Sequence, residues 1–112
     1  MPLVVIKRDK TREPYDRAKL LNGIVTACRK RPVSAEKIES IVNDIEDILS
    51  DRHQAEIRSS EIGRMVLDRL LDIDEVSYVR FASVYRKFTN IDKFATELKK
   101  IKKEKRCLKK QR

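Results

Sequence analysis

The chain has 112 residues, 40% of them hydrophobic and 40% charged, with a formal net charge of +9. That length suits one domain with a single modest core, and so high a charge fraction requires the apolar side chains to be gathered on faces. No apolar run approaches the roughly 20 residues of a membrane span, no signal peptide precedes the first apolar run, and two distant cysteines with one histidine supply no zinc ligand set, so a cytosolic protein without membrane contact or a zinc site is expected.

The stretch from Val4 to Leu20, VVIKRDKTREPYDRAKL, organises the reading. Val4, Val5 and Ile6 are β-branched and the following Asp9 to Arg12 segment is polar, so Leu3 to Tyr15 is predicted to be a hairpin. Alternation along a flat strand places Ile6 and Arg8 on one face and Val5 and Lys7 on the other, so both cations meet one ligand only if the strand twists into its turn. Asp16 is a favoured N-cap for a first helix with Leu20, Leu21, Ile24, Val25 and Cys28 at helical spacing. Arg17 and Lys19 then stand in its first turn, where cations oppose the helix dipole unless a bound anion reverses that effect. Two plain surface charges explain the same pattern.

Arg29 to Pro32 breaks the first helix, because the residue before a proline is pushed out of helical geometry. Ser34 is predicted to cap a second helix with the stripe Ile38, Ile41, Val42, Ile45 and Leu49. Asp51 to Ile57 is polar and irregular, with Ile57 able to add a short strand beside the hairpin. Ser59 or Ser60 opens a third helix through Ile62, Met65, Val66, Leu70 and Leu71. Asp74 caps a fourth, from Glu75 to about Lys87, whose apolar residues Val76, Val79, Phe81, Ala82, Val84, Tyr85 and Phe88 surround most of the axis, a pattern expected of burial on several sides. A fifth helical segment from about Asp92 carries Phe94, Leu98 and Ile101 before the sequence dissolves into lysine and arginine. The fold class is therefore mainly α with a small β-sheet.

Charge is unevenly placed. Lys93 to Arg112 holds ten basic and two acidic residues, a net +8, whereas Met1 to Asp92 nets only +1. Within that larger part Lys7 to Arg31 is basic and Pro32 to Asp92 is acidic, so positive potential is focused at the opening stretch and in the tail.

Chemistry that needs bare backbone around phosphates cannot be built, because both glycines, Gly23 and Gly63, stand alone inside predicted helices. A phosphate site must instead use side chains and a helix start. His53 reads as an exposed loop residue, Cys28 as a buried thiol on the first helix and Cys107 as part of the tail. No catalytic grouping appears, and the chain reads as non-enzymatic. Four of the six aromatics fall between Tyr78 and Phe88. Tyr78 and Tyr85, two turns apart, share a face that is either core or the wall of a pocket with Lys7 and Lys19.

These residues carry a resemblance. VVIKRDKTREPYDRAKL resembles the opening of the ATP-cone, the nucleotide-sensing domain at the N-terminus of many ribonucleotide reductases. KRPVSAEKIES and DEVSYVRFASVYRKFTNIDKF are similar to segments of the cone in the NrdR-type repressors of ribonucleotide reductase genes. The likeness spans Leu3 to Leu98, which divides the chain into a cone, residues 1–98, and a basic tail, residues 99–112, expected to be flexible. It implies a helical bundle roofed by a small β-sheet and holding ATP or dATP, whether or not magnesium accompanies it. By position, Val5 would lie against the adenine, Lys7, Arg8 and Lys19 would meet the phosphates, and Glu13 would contact the nucleoside end. Asp16 could also reach the nucleotide, Ser59 and Ile62 would line the base and sugar pocket, and Tyr78, Tyr85 and Arg86 would lie on the helix closing the phosphate side. The sequence departs from the family where Lys10 replaces the glycine of KRDG, which makes a positive-φ turn harder and suggests a longer or different one. The zinc ribbon of two cysteine pairs that the repressors carry ahead of the cone is also missing from this sequence.

The resemblance implies a sensor in which ATP and dATP change how subunits pack and so switch the state of a homo-oligomer, coupled to repression of reductase genes. A coupling of about 1 to 3 kcal/mol is sufficient for such a switch. Two alternatives stay open: a freestanding cone that regulates an enzyme by direct contact, and DNA binding through the basic tail, whose charges are not interleaved with aromatics.

Overall fold

A computed structural model describes residues 3–86 together with 95, 96, 98–100, 102 and 103. The predicted hairpin is present. Strand β1, Val4–Ile6, pairs antiparallel with β2, Arg12–Pro14, in the register Val4 to Pro14, Val5 to Glu13 and Ile6 to Arg12. The turn solves the Lys10 problem directly. Lys10 takes a φ of 69°, its amide donates to the Lys7 carbonyl, and the Lys7 amide donates to the Thr11 carbonyl. This is the form of a three-residue hairpin loop whose last residue is left-handed, a place that favours glycine. Asp9 secures it by accepting from the Thr11 hydroxyl and amide, and the hydroxyl bond, more than any other influence, holds the Asp9 carboxyl below its usual range.

Helix α1, Arg17–Ala27, starts where Asp16 accepts from the Ala18 and Lys19 amides. Its inner face is narrower than the spacing predicts: Ile24, Ala27 and Cys28 are buried, Leu20 and Leu21 are half-buried, and Val25 is exposed. Helix α2, Ala35–Asp51, is capped by Ser34 and buries Ile38, Ile41, Val42, Ile45 and Leu49, the whole predicted stripe. It runs on to Asp51, so the irregular segment is shorter than expected. Ile57 lies in β3, Glu56–Arg58, which pairs parallel to β1 with Val5 opposite Ile57. The sheet order is thus β2-β1-β3, with α1 and α2 forming the crossover that a parallel pair requires.

Helix α3, Ser59–Ile73, follows β3 without a break. Helix α4, Glu75–Arg86, is buried on fewer sides than its composition suggests: Ser77, Tyr78 and Ala82 are enclosed, but Val76 is exposed and Val84 is 78% exposed. Each helix packs on the next, α1 on α2, α2 on α3, α3 on α4 and α4 back on α1. A four-membered ring leaves α4 with an outer side. Of the fifth helical segment, the described residues are helical and Leu98 packs against the core; Asp92, Phe94, Ile101 and Cys107 lie outside the described residues, as does the tail from 104 on. Among the described residues no helix is long and apolar enough to cross a membrane.

One polar network ties the ring shut. Arg31 grips Asp74 through two bonds of 2.8 and 2.9 Å, while Asp74 caps α4 through the amide and hydroxyl of Ser77. Arg80 reaches from α4 to the Ala27 and Arg29 carbonyls at the end of α1. The Arg31 bond is the main reason that the Asp74 carboxyl sits far below the usual carboxylate range, against the opposing effect of burial.

Asp74→Ala removes both a helix cap and a nearly buried charge-assisted pair, and should cost about 2 to 3 kcal/mol in urea unfolding. Because the folded pKa is depressed, Asp74 stabilises fully above its unfolded value of 3.8, and that contribution fades as pH falls below it. Asp74→Asn should therefore weaken the acid dependence of the unfolding midpoint. In the turn, Lys10→Gly relieves a left-handed residue and should raise stability by about 1 kcal/mol, measured in the same way.

Candidate functional site

Where the sheet meets the helices there is a mostly apolar cavity of about 200 Å³. Its floor and walls come from five elements: Val5 of β1, Glu13 and Pro14 at the end of β2, Asp16, Lys19, Leu20 and Gly23 around α1, Ser59, Ile62 and Gly63 of α3, and Phe81 and Tyr85 of α4. Tyr15 lines it too. A second depression of about 570 Å³ shares Tyr85 as a wall and is lined by Arg8, Ser60, Arg64 and Tyr78 among others.

The residues expected at a site therefore divide. Val5, Glu13, Asp16, Lys19, Ser59, Ile62 and Tyr85 meet around the first cavity. Arg8 and Tyr78 face the second, and Tyr78 is at the same time a core residue, 5% exposed. Lys7 is exposed and lines neither. Arg86 is the last described residue of α4, and its side chain lies outside the described residues. Lys7 and Arg8 are therefore not gathered at one point.

The cations of the α1 start have protein partners. Arg17 is held by Glu46 and, at 2.9 Å, by Asn43, so its place in the first turn needs no ligand to explain it. Lys19 pairs with Glu13 at 2.9 Å across the cavity mouth. That bridge is largely solvated and worth at most about 1 kcal/mol, hence readily exchanged. Asp16 already occupies the Ala18 and Lys19 amides, so the helix start presents Lys19 rather than open backbone to an incoming anion. Tyr15 donates to Glu46 at 2.8 Å, and burial, followed by that bond, pushes its hydroxyl pKa well up. Tyr15 thus acts here as a neutral, fixed wall.

Tyr85 is the residue on which the site's geometry turns. Its hydroxyl donates to the Ser60 carbonyl, its ring stacks with Phe81 at 6.2 Å between centroids, and the Arg8 guanidinium lies 5.1 Å from its ring centre. The ring also rests on Gly63, where any Cβ would overlap it. A glycine inside a helix costs about 1 kcal/mol relative to alanine; here it provides room for a wall. Sequence reasoning missed Gly63, Pro14, Tyr15, Leu20, Gly23 and Phe81 as lining residues. The one signal that could have found Gly63 is its lying inside an otherwise well-formed helical pattern. Among the described residues no group of three His, Cys, Asp or Glu side chains could hold a metal.

Comparison with known proteins places this geometry in context. Residues 3–91 match the family model described as the ATP cone domain. The chain is 53% identical over 105 residues to the transcriptional repressor NrdR of Acetivibrio thermocellus, covering 94% of this chain and 70% of that protein. It is 54% identical over 104 residues to the transcriptional repressor NrdR of Caldicellulosiruptor bescii, covering 93% of this chain and 68% of that one.

Gly63→Ala should drive the Tyr85 ring off α3 and cost about 1 to 3 kcal/mol through overpacking. In the Tyr85→Ala background the same change should become neutral or stabilising, since only the helix propensity of alanine remains. A double-mutant cycle in urea checks both.

Proposed function

The chain belongs to the ATP-cone family, and on that premise we propose that it is a non-enzymatic adenine-nucleotide sensor working in the cytoplasm in transcriptional repression of ribonucleotide reductase genes. The observation that carries this reading is the cavity itself: small, apolar, walled by an aromatic ring, and with a lysine at its mouth. At about 200 Å³ it is smaller than the usual range of roughly 300 to 1,000 Å³ for a whole ligand. An adenine ring fills such a space while the ribose and phosphates extend outward.

In this reading Val5 and Ile62 contact the base, and Ser59 and Glu13 face the sugar. Lys19 leaves Glu13 for a phosphate, an exchange that also frees the Glu13 carboxylate to accept from ribose hydroxyls. Asp16 acts mainly by fixing the start of α1. Lys7 and Arg8 lie outside the cavity and meet phosphates only where these emerge from it. Tyr78 acts through the packing of α4, and Arg86 belongs to the same helix. The nucleotide state is read out as a change in how subunits of a homo-oligomer pack, for which a coupling of about 1 to 3 kcal/mol suffices. Residues 1–98 form the sensing unit in this account and 99–112 the basic tail.

Calorimetric titration with ATP, dATP and GTP, with mass followed by light scattering, tests the reading. Adenine nucleotides should bind and GTP should not, dATP should change the mass, and Lys19→Ala should weaken ATP binding by about tenfold or more, as expected for loss of a charge-assisted bond. Well-folded protein that binds no nucleotide would sink the proposal.

A further inference from the structure

Among the described residues none of α2 lines the cavity, yet one carboxylate of that helix holds the segment that does. Tyr15 donates its hydroxyl to one oxygen of Glu46 at 2.8 Å, and Arg17 donates to the other. These two residues flank Asp16, the N-cap of α1, so Glu46 clasps the junction between β2 and α1 on both sides of the cap. Glu46 is well placed to be a fixed point. Val42, Ile45 and Leu49, its neighbours on α2, are buried, and a side chain carried by a packed helix is placed more precisely than one on a loop.

We propose that Glu46 is a positioning residue of the nucleotide site: by holding the Tyr15 hydroxyl it keeps the Tyr15 ring in place as a wall of the base cavity, and so sets how tightly adenine is bound. The inference rests on the adenine-nucleotide reading above and adds a determinant of affinity from outside the cavity. Tyr15 lines the cavity of about 200 Å³ and also a separate depression of about 390 Å³, which Leu3, Glu46, Leu49 and His53 help to form. Among the described residues it is the one common to the two. A ring bordered by a second open space has somewhere to swing once its hydroxyl is released, and the cavity then loses that wall. The bond to a carboxylate is charge-assisted, roughly twice as strong as one between neutral groups, and the hydroxyl, its pKa raised by burial and then by this bond, keeps its proton and remains the donor. The backbone of Tyr15 is fixed independently, its amide donating to the Leu3 carbonyl at 2.8 Å. Loss of the hydroxyl bond therefore frees the side chain without opening the hairpin. Adenine that binds against a mobile ring must order it, a cost that Glu46 removes in advance.

Titration of the full chain tests this, with ATP by calorimetry and with adenosine by NMR, and circular dichroism shows that each variant is folded. Tyr15→Phe and Glu46→Ala should each weaken ATP and adenosine by the same factor, about three- to tenfold, as expected for ordering one side chain on binding. Tyr15→Phe should add no further loss in the Glu46→Ala background, because the two act through one bond. Glu46→Gln keeps an oxygen acceptor for the hydroxyl and should bring affinity to within about twofold of wild type. Tyr15→Phe removes one oxygen and leaves the Arg17 pair intact, so it carries the test even where Glu46→Ala does not fold. Unchanged affinity in folded Tyr15→Phe or Glu46→Ala would overturn the proposal and leave the nucleotide reading standing. Additive losses in the double variant would overturn it too, as would a loss confined to ATP, which places the effect at the phosphates. Glu46→Gln as weak as Glu46→Ala would trace the effect to the charge on Arg17 and overturn the role of Tyr15. Folded wild-type chain that binds no ATP would overturn both readings.

Discussion

Strand β1 is the constraint from which the rest of the structure follows. It is three residues long, yet it pairs with β2 on one side and β3 on the other, and Val5 at its centre stands opposite both Glu13 and Ile57. The antiparallel pairing delivers Glu13, Tyr15 and the capped start of α1 to one side of the cavity. The parallel pairing delivers Ser59 and the start of α3 to the other. A parallel neighbour demands a long crossover, and α1 and α2 supply it between β1 and β3. The site is therefore assembled from distant parts of the sequence by one short strand.

The helical ring then decides what the cavity contains. Arg31, Asp74 and Ser77 lock the beginning of α4, and Arg80 fastens its middle to the end of α1. Around Tyr85 the helix is held differently, by a tyrosine resting on a glycine and an arginine from the hairpin. The start of the helix is thus anchored by a part-buried ion pair, and the turn around Tyr85 by contacts with the site itself.

Much of the fold was legible because its signals are local. Asp16, Ser34 and Asp74 cap the helices that their positions predict, and the α2 stripe from Ile38 to Leu49 is buried in full. What escaped was set by tertiary partners. Val25, Val76 and Val84 look like core residues by spacing but face outward, because a four-helix ring gives α1 and α4 an outer side. Arg17 left a bound anion and a plain surface charge both open, and Glu46, 29 residues away, answers it. Lys10 was expected to make a positive-φ turn harder, yet it takes the left-handed conformation, which Asp9 and Thr11 support. Most of the residues expected from motif likeness meet around one cavity, but Lys7 does not. Gly63 and Tyr85 were seen singly, and the fact that one makes room for the other is a property of the packed helices alone.

The central claim is that an adenine nucleotide enters the cavity beneath Tyr85. An NMR titration of methyl-labelled protein with ATP tests it most directly. The account predicts saturable shifts at Val5, Leu20 and Ile62, which line that cavity, with Ile48 on the exposed side of α2 left unchanged. Saturable ATP binding whose shifts leave these three methyl groups untouched would contradict it.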